Sequence, residues 1–287
     1  MLVALVRLVR ALPAGTAVLL TRFLVLTYLL GRPDYRREIA ANSELVLGRR
    51  LSWARNGWRV ARNLALMARS TGSAGQIFVD SACICGDNSW QLFLERDLHT
   101  VMASFHFGAW EYLPRVFRRQ SPGVRVVTGR QRSRALDAVL TESRQEPKVK
   151  VVQTGEELLG GLEGPGITGF MLDNTSQGRR TRVECERFDM AIPNAAFRLG
   201  RPVFPMFAWF EGKGLKVRAF PPGDERAAVD ALLTMVRERP EEWVFWGKAG
   251  AVRRKPRDQG NRAKVEVRSE NAEGRSIVMK GLCPKDK

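Results

Sequence analysis

This sequence predicts an α/β fold: a central, mostly parallel or mixed sheet flanked by helices, with an N-terminal membrane-anchoring helix ahead of it. Three observations carry that expectation. From His99 onward, short apolar runs alternate with polar or helical segments, the pattern of strands joined by covering helices. Between Asp34 and Met67 the apolar residues recur at helical spacing among many arginines. The first thirty residues are mostly apolar, with arginines within and just after the run.

In chain order, Leu2 to Leu30 is broken by Arg7, Arg10, Pro13 and Arg22. A spanning helix needs about 20 apolar residues, so the segment is read as a retained anchor that either spans or lies in the interface. A cleaved secretory signal is disfavoured because no small-x-small site follows Leu30. Arg32, Arg36 and Arg37 come next and suit anionic headgroups. A break at Ser70–Gly75 precedes Ile77–Glu95, read as helical but ambiguous around Cys83 and Cys85.

The strand candidates are Thr100–Phe105, Val124–Thr128, Val149–Gln153, Ile167–Leu172, Val203–Phe210 and Leu215–Phe220. Helices are expected at Ala109–Arg118, Ser133–Arg144, Gly155–Leu162, Asn194–Leu199 and Glu225–Arg239. Past Gly250 the chain is polar and basic with few core-forming residues. The organisation expected is an anchor over 1–31, an α/β domain over 32–250 and a flexible basic tail over 251–287.

The 287 residues carry a formal charge of +17. That excess calls for acidic partners. Zinc-finger, RNP and basic-zipper signatures are all missing, so no nucleic acid is expected. Four cysteines, Cys83, Cys85, Cys185 and Cys283, follow no disulfide or zinc-ligand spacing, and there are two histidines. No metal is expected.

Chemistry concentrates at Val101–Glu111, where an apolar run delivers His106 into a Gly108-containing bend and Glu111 follows five positions later. Five residues on a regular helix turn about 500°, leaving the side chains roughly 140° apart. They can meet only if His106 lies on the loop and Glu111 in the first turn of the next helix, where N–H groups favour a carboxylate. A histidine braced by a carboxylate is an oriented general base. Neither serine nor cysteine sits in a G-x-S-x-G elbow, so no covalent intermediate is required.

These landmarks together resemble the bacterial lipid A biosynthesis acyltransferases, the lauroyl/myristoyl transferases of the lysophospholipid acyltransferase superfamily. Their His-x4-acid signature is similar to His106-Phe107-Gly108-Ala109-Trp110-Glu111. Val126–Arg130, Leu136-Asp137 and Arg144 look like the arginine block that follows it. Gly169–Asn174 resembles the strand ending in aspartate, Ala195–Val203 the short helix and strand, and Pro240–Trp243 the closing proline-and-tryptophan segment. The block Val183–Ala191 departs from the family's usual FFG-type segment.

The resemblance implies an O-acyltransferase that moves a fatty acyl group from a thioester to a lipid hydroxyl. His106 and Glu111 would form the catalytic dyad, and the Phe107 and Gly108 amides would be available to a developing oxyanion. Arg130 would bind a phosphate through its planar fork, or else sit in a solvated basic turn. Asp173 would contact substrate or cap a turn with Asn174. No cofactor is implied beyond the donor, acyl carrier protein or coenzyme A thioester. The implied partners are acyl carrier protein, a phosphorylated lipid acceptor and an anionic membrane surface. The implied place is the inner (cytoplasmic) membrane, catalytic domain facing the cytoplasm. The acceptor would be a lipid A precursor, with a lysophospholipid or glycolipid as the alternative. A non-catalytic, basic peripheral membrane protein is the competing class.

Overall fold

Short, nearly continuous apolar runs build a sheet whose central strands are buried on both faces. The computed structural model describes residues 2–69, 73–85, 99–118, 121–129, 133–144, 146–152, 162, 165–173, 180–183, 186–189, 196, 199–223, 225–247, 268–270 and 276–278. The chain divides into two units, Met1–Ala251 and Val252–Lys287.

The first unit opens with α1 (Leu2–Ala11), α2 (Ala14–Leu30), α3 (Pro33–Leu47), α4 (Trp53–Ala68) and α5 (Ser73–Asp80). Then come β1 (Cys83–Cys85), β2 (His99–Ser104), a 3-10 turn at Trp110–Tyr112, α6 (Leu113–Phe117), β3 (Val124–Val127), α7 (Arg134–Arg144), β4 (Val149–Val152) and β5 (Gly166–Met171). A separate antiparallel pair, β6 (Arg180–Val183) and β7 (Glu186–Asp189), precedes β8 (Val203–Glu211), β9 (Gly214–Ala219) and α8 (Glu225–Glu238). Two 3-10 turns, Pro240–Glu242 and Val244–Gly247, end the described part of this unit.

Seven strands form one sheet in the order β1-β9-β8-β2-β5-β3-β4. All neighbours are parallel except β8 and β9, which form an antiparallel hairpin. The α/β expectation is met, and the six expected strands lie within two residues of those observed. The reading of Ile77–Glu95 as helical is corrected: α5 ends at Asp80, and Cys83–Cys85 pairs with Lys216–Arg218 as an edge strand. The helices expected at Gly155–Leu162 and Asn194–Leu199 fall almost wholly outside the described residues.

Side chains alternate across the sheet, as the period of two requires. Val101, Ala103, Phe105, Val203 and Phe207 join one core with Ile39 of α3 and Leu232 and Met235 of α8. Met102, Phe204, Met206, Ala208 and Phe210 join a second core with Val79 of α5 and Leu113 and Phe117 of α6. A sheet covered on both faces fixes its register firmly, because a slip of one residue would exchange the two cores.

The expected anchor is two helices broken at Pro13, where the missing N–H and fixed φ end one helix and start the next. Helix α2 packs on α4: a Cβ at Gly57 would come within 2.6 Å of the Leu29 side chain, so glycine allows this close approach. Its other side is uncovered, with Leu19, Phe23 and Leu30 exposed. No single described helix is long and apolar enough to cross a membrane; α2 and α3, bent by 93° at the break between them, pass the test only together.

The second unit contributes two short antiparallel strands, Arg268–Glu270 and Ser276–Val278, within the segment expected as an irregular tail.

Candidate active site

The parallel pairing of β2 with β5 sets the site. Ser104 stands opposite Met171 in the ladder, and the Leu172 amide donates to the Ser104 carbonyl at 2.8 Å. Two residues beyond that rung, at the carboxyl ends of both strands, lie His106 and Asp173. Carboxyl ends are where open parallel sheets place their sites.

The His106 Nδ1 lies 2.7 Å from Asp173 Oδ1. The His106 amide donates to the same carboxylate, at 3.1 Å to Oδ1 and 2.9 Å to Oδ2. The Trp243 indole N–H donates to Oδ2 at 3.0 Å. Asp173 is fully buried, whereas the imidazole is 22% exposed. An ionised aspartate only accepts, so it places the imidazole proton on Nδ1 and leaves a lone pair on Nε2. The Trp110 ring packs edge-on to the imidazole, with centroids 5.1 Å apart.

This geometry revises the expected pairing. Glu111 sits in the tight Trp110–Tyr112 turn, and its oxygens are engaged elsewhere. Arg144 of α7 donates from Nε to Oε2 at 2.9 Å and from Nη2 to Oε1 at 2.5 Å, a two-pronged guanidinium–carboxylate contact. The Trp110 indole N–H adds a bond to Oε1 at 3.2 Å. Burial alone would push the Glu111 carboxyl up; the Arg144 guanidinium outweighs it, with help from His106 and Trp110, and holds it below the ordinary range. Glu111 therefore stays ionised near the histidine and interacts with it electrostatically. The carboxylate on Nδ1 is Asp173, which the sequence reading gave to substrate or to a turn.

The two amides expected to face an oxyanion are also engaged. Phe107 N–H donates to the Phe105 carbonyl at 2.6 Å, and Gly108 N–H to the Glu242 carbonyl at 3.0 Å. Gly108 has φ +59°, and a Cβ there would meet the Ala208 carbonyl oxygen at 2.2 Å. Only glycine fits this bend. Arg130 lies outside the described residues.

A cavity of about 640 Å³ opens beside the imidazole. Leu5, Val9, Leu24, Val25, Leu64 and Met67 of α1, α2 and α4 give it apolar walls, while His106, Glu111, Arg115 and Arg144 gather polar groups in it. The volume falls within the usual range for small-molecule sites. Among the described residues, no group of three or more His, Cys, Asp or Glu side chains could hold a metal ion.

Sequence reasoning placed Trp243 in the closing segment but missed its bond to Asp173 and the three buried asparagines that fasten the segment. Asn42 Nδ2 donates to the Trp246 carbonyl at 2.7 Å. Asn56 Nδ2 donates to the Glu241 and Trp243 carbonyls, each at 3.0 Å. Asn63 Nδ2 donates to Glu242 Oε2 at 2.5 Å. Asn56 and Asn63 are seven residues apart, two turns of one helix face. That spacing on an otherwise apolar stripe was the signal available.

An imidazole oriented by a buried carboxylate at the carboxyl end of a parallel strand is the arrangement of a general base, and an apolar chamber lies next to it. The comparisons with known proteins name the class. The profile of the bacterial lipid A biosynthesis acyltransferases matches residues 2–245, and the chain belongs to that family of acyltransferases. No curated protein matches the chain. Among solved structures it is similar to the 1-acyl-sn-glycerophosphate (LPA) acyltransferase PlsC of Thermotoga maritima. The identity is 14% and the TM-score 0.36, over 78% of this chain and 96% of that one.

Proposed function

We propose that this acyltransferase moves a fatty acyl chain from acyl carrier protein onto a hydroxyl of a phosphorylated lipid A precursor. The reading rests on one observation above all, the His106 Nδ1–Asp173 Oδ1 contact of 2.7 Å beside an apolar cavity. His106 Nε2 takes the proton of the acceptor hydroxyl as its oxygen attacks the thioester carbonyl. The C–S bond then breaks, and the imidazolium returns the proton to the leaving thiolate. Asp173 fixes the tautomer and stabilises the cation that forms. The Glu111 carboxylate, kept ionised by Arg144, lies near enough to that cation to interact with it electrostatically.

The apolar walls from α1, α2 and α4 take the hydrocarbon chain. Arg130 binds a phosphate of the acceptor. The formal charge of +17 steers both the acidic carrier and the phosphorylated lipid, with a dependence on ionic strength. The exposed Leu19, Phe23 and Leu30 of α2, followed by Arg32, Arg36 and Arg37, support seating on the cytoplasmic face of the inner membrane.

The test is transfer of a labelled lauroyl group from acyl carrier protein to a lipid A precursor in detergent micelles. Wild type should transfer it, and His106→Ala should not. Undiminished transfer by the variant rejects the assigned base. Consumption of the thioester only when a lysophospholipid or glycolipid is supplied would keep the chemistry and replace the acceptor.

A further inference from the structure

We infer that Trp243 is a positioning residue for the base: its indole N–H holds the Asp173 carboxylate in the orientation that fixes the His106 tautomer. The inference rests on the reading of His106 as the base. Asp173 has two oxygens and three donors around it. The His106 amide reaches both oxygens, Nδ1 takes Oδ1, and Trp243 Nε1 takes Oδ2. The indole grips Oδ2 from outside the His106 loop, so a partial turn of the carboxylate about its Cβ–Cγ bond, away from Nδ1, would break that hydrogen bond. Trp243 is itself 2% exposed, so its indole N–H is a buried donor.

The surroundings make this donor rigid. The Trp243 carbonyl is held by Asn56, and the preceding Glu242 is held through its side chain by Asn63 and by an ion pair with Arg59 at 3.2 Å. The same segment clasps the His106 loop through its backbone. Glu242 accepts from the Gly108 amide, and the Val244 amide donates to the His106 carbonyl at 3.0 Å. Phe107 and Trp243 form an isolated antiparallel bridge. One short stretch therefore sets both the histidine's backbone and its carboxylate partner, while α4 fixes the stretch.

A matched control is built in. Trp246 packs against Trp243 with ring centroids 4.8 Å apart and is equally buried, but its indole N–H donates to the Pro240 carbonyl at 2.7 Å and not to the Asp173 carboxylate. Trp243→Phe and Trp246→Phe remove similar ring area and one N–H each, so a packing role would make them alike.

The experiment uses the full chain in detergent micelles, labelled with ¹⁵N-histidine. The chain has two histidines, and His99→Gln assigns their signals. In wild type, neutral His106 should carry its proton on Nδ1. Trp243→Phe should give a mixture of tautomers and a kcat lower by roughly tenfold, the effect of one hydrogen bond to a charged group, with KM unchanged. Its acidic pH–rate limb should move downward, because a carboxylate turned away from Nδ1 holds the imidazolium less firmly. Trp246→Phe should lower the melting temperature and leave the tautomer and the limb in place. Matching tautomer signals in Trp243→Phe and wild type overturn the inference, as do equal effects of the two variants. Transfer lost in His106→Ala but unaltered in Trp243→Phe overturns the inference alone. Transfer retained in His106→Ala removes the underlying reading and this inference with it.

Discussion

His106 and Asp173 face each other because Ser104 and Met171 do: the β2–β5 register runs on for two residues past the last strand position and ends in an imidazole–carboxylate contact of 2.7 Å. Asp173→Asn keeps the side chain's size but offers an amide where a carboxylate accepted from three donors. The tautomer is no longer dictated, and by analogy with other aspartate-held histidines kcat should fall roughly 10³- to 10⁴-fold. Steady-state kinetics on protein with a wild-type circular dichroism spectrum checks this. A loss below tenfold would show that Asp173 does not hold the base.

That contact marks the boundary of what the sequence could say. Strand positions were legible because burial on both faces writes short, nearly continuous apolar runs such as Val203–Phe210 between polar or helical segments. His106 was legible because a polar residue at the end of an apolar run is conspicuous. Its partner was not. Which strand lies beside β2, and in what register, depends on crossover packing and not on local pattern, so Asp173 read as a substrate contact or a turn residue. Glu111, only five positions away, was the natural choice; what decided against it was Arg144, delivered by α7 from a part of the chain with no sequence link to the bend.

The Glu111–Arg144 pair makes a prediction about stability. Both side chains are about one-fifth exposed, so each is largely withdrawn from water. Arg144→Met leaves Glu111 with the Trp110 indole but without its two-pronged guanidinium partner, and breaking a buried pair costs about 3 kcal/mol at the low end. Glu111→Gln together with Arg144→Met should recover part of that loss, because no unpaired charge remains. Urea unfolding of the two single variants and the double variant measures the coupling; strict additivity would show that the pair is not an energetic unit.

Glu242 and Glu111 should respond to pH with opposite signs. Burial pushes the Glu242 carboxyl above its ordinary 4.5, with Arg59 and Asn63 opposing but not reversing the shift. A raised carboxyl contributes stability that is complete below the ordinary value and lost as pH rises through the raised one. Glu111 is lowered, so its contribution is present above the ordinary value and lost as pH falls through the lowered one. Glu242→Gln retains an acceptor for Asn63 and removes the upward-pH penalty. The melting temperature of Glu242→Gln relative to wild type should therefore improve as pH is raised from the ordinary carboxyl value towards neutrality. A difference that stays constant over that range would sink the assignment.

Gly108→Ala tests the bend itself. The added Cβ meets the Ala208 carbonyl oxygen at 2.2 Å, and φ is +59°. A non-glycine residue in that region costs about 1–3 kcal/mol before any clash, and β8 lies in the middle of the sheet and cannot give way. The variant should lose most of its transfer activity and unfold at a lower temperature. Wild-type melting would show that the bend is not held against β8.

The exposed face of α2 offers the last prediction. Leu19 and Phe23 are 62% and 67% exposed, four residues apart on one face, and Leu30 continues that side of the helix. Arg22 stacks on Trp58 at 3.9 Å, and Arg36 lies over Trp53 at 5.2 Å, so guanidinium groups and aromatic rings alternate along the neighbouring surface. If α2 seats the protein on a membrane as proposed, such a surface enters the headgroup boundary through its apolar area and attracts anionic lipid. Phe23→Glu puts a charge where a ring would enter the bilayer, while the open surroundings leave folding nearly unchanged. Sedimentation with vesicles containing phosphatidylglycerol should show binding weakened at least tenfold for Phe23→Glu, with equal melting temperatures. Binding to neutral vesicles should be weaker than to anionic ones at low salt, and that gap should close as salt is raised. Full vesicle binding by Phe23→Glu would move the membrane contact to another face of the molecule.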